Sequence, residues 1–370
     1  MNRSLHRLFA AGALLLLLCA MVLPRPALAA QIVDLRGRTV AVPDQVRKIS
    51  IDDGRFLVAL SLIQRDPVKL LAAWPRDVHR IGDATYAQFL AKFPALRSVP
   101  QVASSAGSFN LEAVLSAAPD VAVVSAGSGP TDAQIAQLKA AGIPVVFIDF
   151  FDNPFKNQEP SLRILGQLTG GQAKAEAFIA LRRAHLDKIA QRVAKLAPSA
   201  RPTVFLEAHA GMTGDCCNSP GKGNMGEYIE FVGGHNIGAD VLKAPTGKLN
   251  LEYVMSRDPK VYIATGGAHL EKSGGLVLGA GYDAARARAS LTAVAQRQGI
   301  AQLSAVKSGR SFGLAHQLIN SPIDIVAIEA FATWIHPELF KDVDPAKTLA
   351  EINRDFLAVP YQGAGWTSLQ

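Results

Sequence analysis

The 370-residue sequence predicts an α/β fold of two lobes with parallel sheets, joined by one long backbone helix. Three observations lead there. A twelve-residue pattern that begins at Asn110 returns without a gap at Asn250. Short β-branched runs alternate with helical patterns around both copies, the sequence signature of parallel sheets. Between the halves, Gln172 to Leu196 runs without a proline or glycine.

The opening segment bears on destination. Arg3 and Arg7 give a basic start, Leu8 to Leu23 is almost wholly apolar, Pro24 breaks the run, and Ala27-Leu28-Ala29 offers a small-x-small cleavage site. Residues 1–29 therefore read as a secretory signal peptide rather than a membrane span, with the periplasm as the expected location. The cleavage point itself is left open. Cys19 would be the attachment point of a lipoprotein anchor, but Leu18 precedes it where lipid attachment wants a small residue. Loss of Arg3, Arg7 and Arg25 with the leader leaves a net charge of +4, three below the +7 of the whole chain. That mild excess suits an anionic small ligand and is too dispersed for nucleic acid. With 49% hydrophobic and 19% charged residues, the composition is that of a globular protein. Cys216 and Cys217 are adjacent, so a vicinal disulfide and two free thiols are both open; neither would staple the fold.

The first lobe is placed at 30–171. Lys48 to Ile51 is a strand candidate, Asp52-Asp53-Gly54 its loop, and Phe56 to Ile63 an apolar helix; Gly142-Ile143-Pro144 introduces a strand at Val145 to Ile148. The connecting helix is placed at 172–197, with apolar residues at Phe178, Leu181, Ile189, Val193 and Leu196. Its length would be about 37 Å at 1.5 Å per residue. The second lobe is placed at 198–370, with strands at Thr203 to Leu206 and Ser311 to Leu314 and a helix from Met225 to Val232 ending at Gly233-Gly234. Strands that feed helices in both halves make the lobes Rossmann-like, and ligand sites belong at the carboxyl ends of such strands.

The repeat sets the two lobes in register. Asn110, Leu111, Glu112, Val114, Ser116, Pro119 and Val121 coincide with Asn250, Leu251, Glu252, Val254, Ser256, Pro259 and Val261. Each copy reads as an Asn-capped helix with an acidic residue near its positive end, a proline stop, and a strand at Val121 to Val124 or Val261 to Ile263.

These features, taken in order, resemble the class III substrate-binding proteins of ABC importers, receptors for ferric siderophores, haem and vitamin B12. Further segments carry the resemblance: Asp34 to Val40 as the opening hairpin, Ser161 to Gly166 with Gly170 before the spine, the Gly233-Gly234-His235-Asn236-Ile237 turn, and Trp334 to Phe340 as the C-terminal helix of the iron-chelate branch. The resemblance implies a monomeric receptor, without enzymatic activity or cofactor, that takes up an iron chelate. It implies delivery to a permease dimer at the inner membrane, with Glu112 and Glu252 meeting permease arginines. The bland reading of both glutamates is that they complement their helix ends.

Candidate ligand contacts follow from the loops after strands. In the first lobe they are Arg55 and Arg76, whose guanidinium forks match carboxylate or catecholate oxygens, Trp74 as a flat apolar wall, and Ser105, Ser108 and Phe151. In the second they are His209, Gly211, Gly267 and His269. No metal site is predicted, because neither histidine belongs to a spaced ligand pair and a lone loop histidine more often makes a hydrogen bond. Gly221 to Gly226 matches the dinucleotide fingerprint but does not directly follow a strand, so it reads as a glycine-rich helix entry. Two rival functions are direct capture of Zn or Mn, which the sparse histidines disfavour, and a secreted α/β hydrolase. For the latter the sequence has no Gly-x-Ser-x-Gly elbow, no HExxH helix and no phosphate loop.

Overall fold

The valine and isoleucine runs pair as two separate parallel sheets in a computed structural model that describes residues 30–319 and 321–369, leaving aside the side chains of Val78 and His79. The signal-peptide reading lies outside the described residues. An antiparallel hairpin, β1 (Ala30–Val33) and β2 (Thr39–Val42), opens the first lobe. Its sheet contains β3 (Ile49–Ile51), β4 (Leu71–Ala73), β5 (Val121–Ser125) and β6 (Val145–Ile148), in the order β4-β3-β5-β6 and all parallel. In the second lobe, β7 (Thr203–Glu207) is followed by β8 (Asn218–Pro220), β9 (His235–Asn236), β10 (Thr246–Lys248), β11 (Val261–Gly266), β12 (Ser311–Ala315) and β13 (Trp366–Ser368). The larger sheet has the order β13-β12-β11-β7-β9, with only β13 antiparallel to its neighbour; β8 and β10 form a small ribbon. Every residue of β6, β11 and β12 is buried, which is why these strands read as continuous rather than alternating apolar runs.

The sequence repeat is a repeat of structure. Asn110 accepts a hydrogen bond from the Ala113 N–H (2.9 Å) and Asn250 one from the Glu252 N–H (2.7 Å), and each caps a seven-residue helix, Leu111–Ala117 or Leu251–Arg257. Both helices end on a left-handed residue, Ala118 (φ 44°) or Asp258 (φ 39°), directly before the matched proline. The turns then enter β5 and β11.

The spine helix spans Gln172–Val193, a turn shorter than expected, because Lys195 and Leu196 donate to carbonyls three residues back and tighten the end. Its Ala175 packs closely on Gly166 of the helix Pro154–Thr169, where an added Cβ would lie 3.0 Å from the Ala175 Cβ. Further along, the buried Arg182 guanidinium donates to both oxygens of Asp324 (2.9 and 2.8 Å), and the buried Tyr228 hydroxyl donates to the same carboxylate (3.0 Å). One apolar cluster runs from Ile32 through the spine to Val359, so the lobes share a core; a second covers the other side of the first sheet around Val114, Leu138 and Phe147.

The chain end corrects one expectation. The helix Ile325–Ile335 stops at His336 because Pro337 follows, and Pro337 to Phe340 form a turn. The last helix is Pro345–Asp355, after which Ala358 donates to the Ser61 carbonyl of the first lobe (2.8 Å) and β13 returns to the second sheet. Cys216 and Cys217 are joined as a vicinal disulfide. No helix among the described residues is long and apolar enough to cross a membrane.

Candidate ligand cleft

The first wall of the cleft grows out of the carboxyl ends of β3, β5 and β6. Directly after β3 come two buried acids, Asp52 and Asp53. Asp52 accepts the Ser125 N–H (3.0 Å) and hydroxyl (3.0 Å), and burial, reinforced by the charge of Asp53, pushes its carboxyl up to about 7. Asp53 is equally desolvated, yet the Arg55 hydrogen bonds and the charges of Arg55 and Arg80 outweigh that effect and hold it below its ordinary value. Arg55 grips Asp53 with both prongs of its fork (3.0 and 2.8 Å) and lies 3.2 Å over the Phe151 ring. Arg80 donates to Asp53 and to the Ser105 hydroxyl (2.8 Å), and its Nε stands 3.1 Å from Asp77. The two guanidiniums thus border a polar chamber of about 210 Å³ that also meets Ser105, Ser125, Asp149 and Asp152. They border as well a smaller pocket of about 50 Å³, faced by Val58, Phe89, Leu318 and Val359. Because that pocket draws on both lobes, it places the arginine pair at the lobe junction.

The second wall is built of imidazoles. His209 follows β7, His269 follows β11 and His316 follows β12, and three neighbouring parallel strands bring them together. His209 Nδ1 lies 2.9 Å from His269 Nε2, and the His209 ring sits over that of His316 with centroids 3.9 Å apart. The Thr265 hydroxyl accepts the His209 N–H (3.1 Å) and lies 3.0 Å from His316 Nδ1. Burial, then the neighbouring His269, lowers His209 to about 4; burial, then His209, His269 and Arg55, lowers His316 well below its ordinary value. His269 is lowered by burial. Burial thus favours the neutral form of all three rings. Gln317, next to His316, lines the small pocket together with Arg55 and Arg80.

The structure brings some of the expected residues together and separates others. Arg55, Ser105 and Phe151 lie together on the first wall, and His209 and His269 on the second. Trp74 is a core residue instead: it is fully buried, pairs with Gln101 at the sheet edge and packs against Tyr86. Arg76 is exposed and donates to the Arg97 and Val99 carbonyls (both 3.0 Å), so Arg80, one turn further on, holds the place expected of it. Ser108 is exposed on the loop before the repeat helix and lines neither chamber. Gly211 (φ 80°) serves a backbone crossing, since a Cβ there would come within 2.6 Å of Gly275 Cα. A Cβ at Gly267 would crowd Gln317 (3.1 Å) and His269 Nδ1 (3.2 Å), so this glycine leaves the histidine room. Sequence reasoning missed Arg80, Asp152 and Gln317 as lining residues; it placed the histidines on loops after strands but not in contact with one another. Among the described residues, no three His, Cys, Asp or Glu side chains converge as a metal cage.

Comparison with known proteins fits this geometry. The family described as periplasmic binding protein matches residues 61–318. The TroA-like periplasmic binding protein FepB from Veillonella parvula superposes with a TM-score of 0.83 at 25% identity, covering 92% of this chain and 99% of that one. A Bacillus subtilis ABC transporter substrate-binding lipoprotein, YvrC, is 24% identical over 63% of this chain and 67% of its own length. A cobalamin-binding protein of Halobacterium salinarum is 33% identical, but over 42% of this chain and 40% of its own.

Proposed function

Since the chain belongs to the periplasmic binding protein family, as a substrate-binding component of ABC importers of the TroA-like kind, we propose that it captures an iron chelate of siderophore type between its lobes and hands it to a membrane permease. The observation that carries the choice of a metal chelate is the pairing of walls. A polar wall set on Arg55 and Arg80, paired with Asp53 and Asp77, stands at the strand ends of one lobe, and a group of imidazoles stands at the strand ends of the other. The first suits the anionic oxygens of a chelator and the second suits a transition metal. The family is one of binding proteins rather than enzymes. Direct capture of free Zn or Mn is the weaker reading, since the histidines gather without the further donors that a closed cage needs.

Delivery rests on the repeat. Glu112 and Glu252 are exposed in the first turns of two matched helices, one on each lobe. Such a pair suits a two-fold permease surface carrying arginines. A secreted, periplasmic protein acting as a monomer, with lobes at 30–171 and 198–370 about the helix at 172–197, accords with this role. Native mass spectrometry of protein purified from iron-starved cells tests the cargo: a co-purifying mass with an iron isotope pattern is expected, and a metal-free ligand would end the chelate reading. For docking, the Glu112→Ala/Glu252→Ala double variant should keep its cargo yet lose stimulation of the permease ATPase. Undiminished stimulation would remove both glutamates from the interface.

A further inference from the structure

We propose that Leu115 and Met255 are a matched pair of apolar anchors for the permease, each seating in an apolar hollow beside the arginine that its neighbouring glutamate engages. The inference rests on the delivery reading above. It adds two residues and the chemistry of the partner surface: two like sockets, each apolar and basic side by side, related by a two-fold axis.

Exposure at matched positions is the first observation. Leu115 and Met255 keep 36% and 38% of their surface in solvent. Among the described residues, the other large apolar side chains exposed to a like degree or more are Val33, Met212 and Val241. One such side chain alone is ordinary on a protein surface. These two hold the same place in the repeat, each the fifth residue after its capping asparagine. Val114 and Val254 set the buried side of the two helices, whereas Glu112, Leu115 and Ser116 of the first and Glu252, Met255 and Ser256 of the second are exposed.

Differences between the copies make the match informative. Ala113 answers to Tyr253 and Ala117 to Arg257, and the two larger residues turn to the Ile237 carbonyl (2.8 Å) and to Asp240 (2.9 Å). Polarity therefore changes at those positions, yet the exposed fifth position is apolar in both copies. Helix propensity does not require this, since Lys, Glu, Gln or Arg would serve a solvent-facing turn as well as Leu or Met. Residues three apart on a helix are neighbours, about 5–6 Å between Cβ atoms, so Leu115 stands beside Glu112 and Met255 beside Glu252. Each lobe thus offers one carboxylate and one apolar knob. Seating these patches on those of a second copy would set carboxylate against carboxylate. A partner of two equal subunits, with an arginine and an apolar hollow on each, matches both the charge and the number. The carboxylates steer and orient, and the apolar pair, desolvated on contact, slows release.

Salt separates the two contributions, because exposed ion pairs are screened at about 1 M NaCl and apolar burial is not. Right-side-out inner-membrane vesicles from iron-starved source cells lacking this chain serve as the probe, and co-sedimentation of the labelled protein is measured at about 0.15 M and about 1 M NaCl. Wild type is compared with Leu115→Ala/Met255→Ala, with Glu112→Ala/Glu252→Ala, and with Val33→Ala/Val241→Ala as an exposed apolar control. The Leu115→Ala/Met255→Ala protein should bind tenfold or more weakly at both salt concentrations while keeping its unfolding midpoint. The glutamate variant should be weaker at low salt and approach wild type at high salt, and the control should match wild type throughout. A benzophenone side chain in place of Leu115 or Met255 should cross-link to a polytopic permease subunit identified by peptide mass; in place of Val33 or Val241 it should not. Wild-type affinity of Leu115→Ala/Met255→Ala would overturn the proposal and leave delivery standing. So would equal binding of wild type to protein-free liposomes, or a wild-type dimer that this variant abolishes, since either gives the apolar pair another occupant. No binding of wild type to the vesicles would overturn the proposal together with the delivery reading. The exchange Leu115→Met/Met255→Leu keeps both knobs apolar and should bind as wild type does; a loss as large as that of the alanine variant would also overturn the assignment.

Discussion

Asp52 and Asp53 are chemically identical neighbours whose environments drive them apart. Asp53 faces two guanidiniums, whereas Asp52 is turned into the loop after β5 and meets only Ser125 donors. The consequence is a sign that can be measured. A carboxyl raised from 3.8 to about 7 favours the folded state fully at low pH, and that contribution is lost as the pH rises through 7. The difference amounts to about 4 kcal/mol at most. Asp52→Asn keeps an acceptor for the Ser125 N–H and has no proton to lose. Relative to wild type, the variant should therefore gain stability steadily from pH 4 to pH 8 in urea denaturation; parallel curves for the two proteins would refute the assignment. Asp53→Asn acts oppositely. It strips two largely buried arginines of their shared counter-charge, and a loss of about 2–3 kcal/mol at pH 7 is expected, shrinking as acid neutralises the wild-type carboxylate.

The helices carry different burdens, and the sequence revealed them unequally. Each repeat helix is seven residues long and relies on its asparagine, so Asn110→Ala and Asn250→Ala should each cost about 1 kcal/mol by chemical denaturation. The spine relies on Arg182. Asp324→Asn would leave that guanidinium buried without its charge partner and should cost about 3–5 kcal/mol; a loss below about 1 kcal/mol would mean that the spine is held by apolar packing alone. The repeat and the spine were legible because their signals are local: caps, a proline stop, and a long run without helix breakers. Trp74 was misread because burial there follows from its pairing with Gln101 across the sheet edge, a contact made 27 residues away. The histidines are separated by 60 residues in one step, and only the order of β7, β11 and β12 in the sheet brings them together. Arg80 displaced Arg76 because a short helix, Val78–Ile81, turns the later arginine toward Asp53.

At the scale of the molecule, the question is how far two lobes can move when they share a core. The junction is closed in several places. Asn224 donates to the Phe151 carbonyl (2.5 Å), Gln158 donates to the Pro322 carbonyl, and Phe155 packs edge-on to Tyr228 (5.3 Å between centroids) and against Phe231 (4.7 Å). The tail at Ala358 ties a fourth point to Ser61. A wide hinge opening would expose these aromatics and break the backbone contacts together, while the Arg182–Asp324 pair would resist rotation of the spine. Small sliding motions leave all of them intact. Cargo should therefore shift the lobes by about 1–2 Å, the scale of shear between packed helices, rather than swing them apart. Spin labels on Glu112→Cys and Glu252→Cys report this distance directly, because the two positions lie on the matched helices of the two lobes. The free and loaded proteins should give distance distributions whose centres differ by no more than that scale. Asn224→Ala together with Phe155→Ala should broaden the free distribution and leave the loaded one narrow, because the cargo then supplies the cross-lobe contacts that the variant has lost. A free wild-type protein that already populates a widely open state would show that the shared core does not govern the junction, and recognition by the permease would then have to follow a large closure.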